Sequence, residues 1–242
     1  MTGTSMKFDD PILVSIIIPV LNEEACLGPM LQHLKKVAHD FNRLEILVVD
    51  GGSTDHSISV AKMHGARVVS SEKGRARQMN LGAEHACGNI LYFLHADTLP
   101  PTHFDIAIIK ALQQGYDAGC FRLKFNDPSR FLAFFAWFSQ FNLALCRGGD
   151  QSLFIHKAFF EELGGFNEAY RIYEDNEFIS RIYRKGKFRI LPMHVKTSAR
   201  KYVDNGMVNL QYHFAVVHLK QYMGAPPEKL YDYYRKNIQS DL

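Results

Sequence analysis

GRARQMNLGAEHACGNILYFLHAD, residues 74–97, decides how the chain is read. Its second half, Ile90 to Leu94, is apolar without interruption and then meets His95 and Asp97. A continuous apolar run suits a strand covered on both faces, as in a parallel sheet. Its first half opens on Arg75 and Arg77 and closes at Gly88, the pattern of a helix with a glycine stop. An imidazole and a carboxylate at the tip of a core strand are costly unless paired or bound. In an open parallel sheet, strand tips are also where ligands sit.

The same alternation extends towards the N-terminus. LVSIIIPV (13–20) and LEILVVD (44–50) read as strands, and so does ARVVSS (66–71). Between the first two, Leu27, Met30 or Leu31, Leu34, Val37 and Phe41 recur at helical spacing. GGSTDHSISVAKMHG (51–65) is a glycine turn, a Ser53 or Thr54 cap and a helix ending at Gly65. Four strands alternating with three helices predict an α/β chain with a mostly parallel, Rossmann-type sheet covered by helices on both faces. Beyond Thr102 the rhythm changes. The order expected there is a helix to Gln114, a strand in DAGCFRLKFN and a Phe-rich helix over 131–146. A strand DQSLFIH, a short helix ending in LGGF and a helix in YEDNEFISRIYRKG come next. KFRILP and VKTSARKY read as two extended pieces, and the tail from Val208 to Ile238 as two helices broken by GAPPE.

Composition narrows the class. Of 242 residues, 47% are hydrophobic, enough for one large core with an appendage. The 28 basic and 25 acidic side chains are nearly balanced and form no stripe, which argues against nucleic acid as a partner. The four cysteines are scattered without a C-x-x-C, so a reducing cytoplasm is the expected setting. The first residues show no basic start followed by an apolar stretch, so no signal peptide is read there. Residues 131–146 carry no charge, but Ser139, Gln140 and Asn142 interrupt them. The segment falls short of the ~20 residues of a membrane span, which leaves a buried or an interfacial helix.

The acidic residues gather at predicted strand ends. Asn22-Glu23-Glu24 follow the first strand, Asp50 ends the second, and His95 and Asp97 end the fourth. Such an edge suits a divalent cation or ribose hydroxyls, and Arg75 and Arg77 suit a phosphate. Each residue also has a plainer reading. Asp50 could be a turn former, Glu23 and Glu24 helix-dipole partners, Asp97 a cap and His95 a satisfied core residue.

Taken in order, these segments resemble glycosyltransferase family 2 with a GT-A fold. VSIIIPVLNEE is similar to the family's opening strand, and ILVVDGGSTD to its second strand with a nucleotide-contacting Asp. Residues 74–97 resemble the helix that runs into the Asp-x-Asp strand, and LGGFNEAYRIYEDNEFISRIYRKG the acceptor-side Glu-Asp segment. A subgroup with His-Ala-Asp, GDQ and TSAR is the nearest likeness. The resemblance implies a tail at 1–12 and a GT-A domain at 13–200, divided into a nucleotide-binding half (13–101) and an acceptor half (102–200). Residues 201–242 would be a helical C-terminal appendage.

The resemblance also assigns roles. Glu23, Asp50, Arg75, Arg77 and His95 would bind a nucleoside-diphosphate sugar of the UDP or GDP type. Asp97, with His95, would hold a divalent metal, Mn²⁺ or Mg²⁺, and Asp175 would be the general base. Two departures stand out. Gly51 occupies the place of a usual second Asp, and His95 replaces the first Asp of Asp-x-Asp. Asp150, Gln151 and Glu174 are candidates for acceptor or sugar contacts, and Arg200 for closure over the diphosphate. Glu174 and Glu177 are alternative bases, with helix-dipole charge as the plainer reading. The acceptor is open, and a lipid-linked one would meet the Phe-rich helix and the tail cations Lys220, Lys229, Arg235 and Lys236 at the inner membrane surface. The rival functions are a nucleotidyltransferase and a nucleotide-sugar- or lipid-binding protein without transfer. PVLNEE lacks the glycine-rich basic loop of the first, and YEDNEF argues against the second.

Overall fold

A computed structural model describes residues 13–238, and the expected tail at 1–12 and the last four residues lie outside that range. β1 (Val14–Val20), β2 (Leu44–Asp50), β3 (Arg67–Ser70) and β4 (Ile90–Phe93) fall where the apolar runs lie. α1 (Glu24–Val37), α2 (Ser57–Met63) and α3 (Arg75–His85) connect them. β1 pairs in parallel with β2 and β4, and β2 in parallel with β3. The tips of β1, β2 and β4 therefore share one edge, as expected from their acidic ends.

The second half completes the sheet. β5 (Thr98–Leu99), α4 (Phe104–Gln113), β6 (Ala118–Phe125), α5 (Arg130–Trp137), β7 (Leu153–His156) and α6 (Lys157–Glu162) follow in chain order. α7 (Glu174–Lys185), β8 (Phe188–Thr197), α8 (Arg200–Asn205), α9 (Met207–Tyr222) and α10 (Pro227–Asn237) end the chain. The eight strands lie in the order β3-β2-β1-β4-β7-β6-β8-β5. β7 runs antiparallel to β4 and β6, and β6 runs parallel to β8. The mixed α/β fold predicted from the alternation is the one observed.

Strand alternation divides the core between the two faces. Ile16, Ile18, Val48 and Tyr92 pack with Leu27, Leu31, Phe104 and Ile108 of α1 and α4. Ile17, Leu47, Val49 and Phe93 pack on the other face with Met79, Phe166, Phe178 and Ile182. Each such side chain contributes about 1.5–3 kcal/mol by leaving water. A third cluster, including Leu210, Leu230 and Tyr234, joins α9 and α10 to Ile172, just before α7.

Three expectations are corrected. The Phe-rich helix stops at Trp137, after which the chain makes short 3-10 turns at Phe138–Gln140 and Ala144–Cys146. KFRILP and VKT form one strand, β8, and Arg200 to Asn205 is helical rather than extended. Asp150 and Gln151 lie in a 3-10 turn, Gly149–Gln151, before β7 begins at Leu153.

Candidate active site

The loops after β1 and β2 brace each other. Asn22 takes the Thr54 amide at 2.8 Å, and Glu24 takes the His56 amide at 2.9 Å. The Glu24 amide donates in return to Asp55 at 3.0 Å. Glu24 thus serves the loop, while Glu23 faces the crevice, with Oε1 3.7 Å from Arg200 Nη2. Glu23 Oε2 is buried and has no hydrogen-bond partner. Burial lifts the Glu23 carboxyl above its ordinary value, Arg200 pulls it back, and the charge of Asp97 adds to the lift.

His95 leaves the tip of β4 and stands between two carboxylates. Its Nδ1 is 3.6 Å from Asp150 Oδ1, and its Nε2 is 4.0 Å from Asp175 Oδ2. Desolvation opposes charge on the ring, but Asp150 and Asp175 outweigh it and raise the His95 pKa. Desolvation likewise opposes the charge on Asp150, yet His95 draws that carboxyl below its ordinary value. Arg75 Nη1 pairs with Glu174 Oε1 at 3.2 Å. Burial works against the guanidinium charge, and Glu174, Asp175 and Asp150 more than compensate, so the Arg75 pKa is raised.

Asp175 is the most perturbed carboxyl of the group. It is buried in the first turn of α7. Burial, then the neighbouring Glu174 charge, pushes it up to about 6 against the pull of His95 and Arg75. A buried carboxylate raised towards neutral pH, with His95 and Arg75 beside it, can accept a proton.

Not every predicted residue enters this group. Arg77 pairs with Glu72 and lies 3.5 Å from Glu168. Asp50 accepts the Gly52 and Ser53 amides at 3.0 and 3.1 Å, so it also closes its own turn. Gln151 is buried: its Nε2 donates to Cys146 O at 2.7 Å, and its Oε1 accepts from Arg147 Nη1. His95, the expected partner of Asp97 at a metal, has its two nitrogens towards Asp150 and Asp175.

Two buried residues escaped the sequence reading. Gln78 Nε2 donates to Val20 O at 2.9 Å and Val49 O at 2.8 Å, joining the tips of β1 and β2. Arg147 gathers the carbonyls of Ser139 and Phe141 at 2.7 and 2.6 Å, while its own carbonyl accepts from Asn176 at 2.6 Å. The available signal was its isolation, because Arg147 is the lone charge between Arg130 and Asp150.

Among the described residues, no group of three or more His, Cys, Asp and Glu forms a ready cation cage. The donor set fits a different mode, in which one or two carboxylates share a cation with substrate phosphates. Glu23 Oε2 is an orphaned buried oxygen, and Asp97 is half-buried with a 3.3 Å hydrogen bond from Thr98.

A mostly parallel sheet whose acidic strand tips face a buried carboxylate on a later helix is the architecture of GT-A glycosyltransferases. Residues 15–189 match the glycosyl transferase family 2 domain, and the chain belongs to that family of enzymes. It is 28% identical over 198 residues to a PGL/p-HBAD biosynthesis glycosyltransferase of Mycobacterium bovis, covering 76% of this chain and 74% of the relative. An undecaprenyl-phosphate 4-deoxy-4-formamido-L-arabinose transferase of Aeromonas hydrophila is 31% identical over 126 residues, 48% of this chain and 37% of that protein. The fold matches mannosyltransferase PcManGT of Pyrobaculum calidifontis, solved with GDP-Man and Mn²⁺. There the TM-score is 0.67 at 21% identity, over 89% of this chain and 63% of that one. S. aureus TarS with UDP-GlcNAc gives a TM-score of 0.65 at 17% identity, over 77% and 58%. The chain thus spans about three-fifths of each of these two solved chains.

Proposed function

We propose that this chain transfers a sugar from a UDP- or GDP-type nucleoside-diphosphate sugar to an acceptor hydroxyl, with inversion by a single displacement. The observation that carries the reading is Asp175, a buried carboxyl held near neutral pH beside His95 and facing the crevice below the β1, β2 and β4 tips. In this reading Asp175 removes the acceptor proton as the hydroxyl attacks. His95 orients Asp175 from one side and Asp150 from the other. Arg75, steadied by Glu174, and Arg200, beside Glu23, offset the charge that builds on the leaving diphosphate. Asp50 meets the nucleotide base, and Arg77 reaches the donor by exchanging Glu72 for a phosphate.

Asp97, with the orphaned oxygen of Glu23, would hold a divalent cation together with the donor phosphates. When bound, that cation supplies electrostatic stabilisation of the leaving group. Residues 13–101 form the donor half, 102–200 the acceptor half and 201–242 the appendage. His-Ala-Asp at 95–97 marks the subgroup. The acceptor is carried on a lipid, and the enzyme works in the cytoplasm in peripheral contact with the inner membrane surface. The relative named for undecaprenyl-phosphate supports an acceptor of this kind.

Thermal shifts with UDP, GDP, UDP-GlcNAc and GDP-mannose, with and without Mn²⁺, test the donor site. A ligand at 100 times its dissociation constant adds ~2.7 kcal/mol of stability. Slow, metal-dependent release of nucleoside diphosphate supports transfer. Pyrophosphate release from a nucleoside triphosphate, or binding without any turnover, overturns it.

A further inference from the structure

α5 and the segment after it expose more apolar surface than a core helix would. Phe134, Trp137 and Leu143 are 57%, 54% and 60% exposed, and Phe138 and Phe141 are 37% and 38% exposed. Leu132 and Ala136 alone take the buried face of α5. The exposed rings touch one another: Phe134 and Phe138 centroids are 5.2 Å apart, and Trp137 and Phe141 4.7 Å. Contiguous exposed aromatic surface marks an interaction site. Arg147 holds this surface in shape by binding the Ser139 and Phe141 carbonyls from below. A patch ordered in advance loses little entropy on docking.

Charge identifies what docks. Residues 128–149 contain no acidic side chain. The Leu123 amide donates to Ser139 Oγ at 2.9 Å, which brings β6 against the aromatic segment. Arg122 and Lys124 flank Leu123, and in the register of β6 with β8 they stand opposite His194 and Lys196. Lys124 and Lys196 are both exposed. Like charges placed directly across a sheet repel. Among the described residues no carboxylate pairs with Arg122, Lys124 or Lys196. Arg122 Nε is buried without a hydrogen-bond partner. After burial, Arg122 and Lys124 are what lower the pKa of His194.

We infer that the Phe134–Leu143 surface seats on an anionic bilayer, with its rings among the acyl chains and the β6–β8 cations against the head groups. Aromatic rings suit the head-group level, and cations beside them add attraction to anionic lipid. The seat does not span: α5 has eight residues, about 12 Å at 1.5 Å each, against a ~30 Å hydrocarbon core. No helix among the described residues is long and apolar enough to cross. The surface adjoins the acceptor edge, because the chain runs from Leu143 through Arg147 to Asp150, and the Arg147 carbonyl holds Asn176 next to Asp175. This rests on and deepens the transfer reading by naming where the acceptor arrives, and its test uses no transfer.

Trp137 is the only tryptophan in the chain and lies in the patch. Its emission is to be followed in the whole 242-residue chain with vesicles of 30% phosphatidylglycerol in phosphatidylcholine, and with phosphatidylcholine alone. A blue shift and quenching by brominated acyl chains are expected with the anionic vesicles and lost at high salt. Lys124→Ala with Lys196→Ala is expected to weaken partitioning roughly thirtyfold. That pair relieves a repulsion, so it leaves the melting temperature unchanged or higher. Phe134→Ser with Leu143→Ser is expected to abolish quenching with unchanged circular dichroism, since both side chains are exposed. Unchanged Trp137 emission with anionic vesicles overturns the inference. A blue shift that instead tracks protein concentration, with dimers by light scattering, overturns it in favour of a second copy. Nucleotide thermal shifts are independent of every one of these outcomes and report on the donor site alone.

Discussion

Gly149 stands so close to Asp175 that a Cβ on the glycine would overlap Asp175 Oδ2 and crowd the His95 ring. The absent side chain is what lets the turn before β7 close over the carboxylate. Gly149 is not in the left-handed region, so alanine is acceptable to the backbone there. Gly149→Ala is therefore expected to fold and to bind UDP or GDP within about twofold of the parent. Turnover is expected to fall by ~10² or more, the share a general base contributes. Calorimetric nucleotide titration beside nucleoside diphosphate release separates the two effects. Equal losses in both would show that Gly149 serves the donor site instead.

The raised Asp175 carboxyl has two consequences for pH. As a base it must be ionised, so turnover is expected to rise through pH about 6 and level off above it. Glu174→Gln removes the neighbouring charge that lifts Asp175, so the acid limb moves to lower pH. For stability, a carboxyl with a raised folded pKa contributes most below its ordinary value and loses that contribution as pH rises through about 6. Asp175→Asn is expected to be inactive but more stable than the parent at pH 8, by about 1–3 kcal/mol. The gap should close towards pH 4. Urea denaturation at pH 4, 6 and 8 checks this, and a gap independent of pH would contradict it.

Glu45 shows the opposite sign at the other end of the sheet. Its Oε2 accepts from Ser15 Oγ at 2.6 Å and the Cys87 amide at 2.8 Å, and its Oε1 pairs with Arg67 at 3.1 Å. Burial raises this carboxyl, but the hydrogen bonds from Ser15, Cys87 and Arg67 win and hold it below its ordinary value. Its contribution is therefore present above the ordinary carboxylate range and lost as pH falls through the lowered pKa. Glu45→Gln is expected to cost about 1.5–3 kcal/mol at pH 7, the worth of hydrogen bonds to a charged group. The cost should shrink below pH 4 in guanidinium titrations. A constant cost across pH would mean that packing of the amide, not charge, is responsible.

The β1, β2 and β4 tips were legible because each strand is a short apolar run with a polar end, and periodicity reports both. β8 was not, because Pro192 divides its sequence into two pieces. The register passes from Phe121–Leu191 to Arg122–His194, so Pro192 and Met193 sit at an irregularity where a missing N–H is tolerated. Nor could periodicity find the end of α5, where Arg147 captures carbonyls by side-chain geometry. Asp175 was readable as an acidic residue at a helix start, but its pairing with His95 depends on how β4 and α7 meet. The burial of Gln151 was not legible either, because it depends on Arg147 and the Cys146 carbonyl meeting its amide in space.

Gly51 can be tested against the aspartate usual at its place. A Cβ there would lie 3.0 Å from Gln78 Cδ and 3.0 Å from Nε2. Gln78 has a flexible side chain, but its amide is tied to the Val20 and Val49 carbonyls. It cannot withdraw without giving up both of those buried hydrogen bonds. Gly51→Asp is therefore expected to cost about 1–3 kcal/mol through overpacking. Gln78→Ala alone is expected to cost about 1–3 kcal/mol through the lost hydrogen bonds. Together they should cost less than the sum, because removing the amide makes room for the new carboxylate. A double-mutant cycle by urea denaturation reads the difference directly. Strict additivity would show that Gln78 does not exclude the aspartate. Coupling above about 0.5 kcal/mol would show that the two residues are alternatives, a glycine with an amide bridge or an aspartate without one.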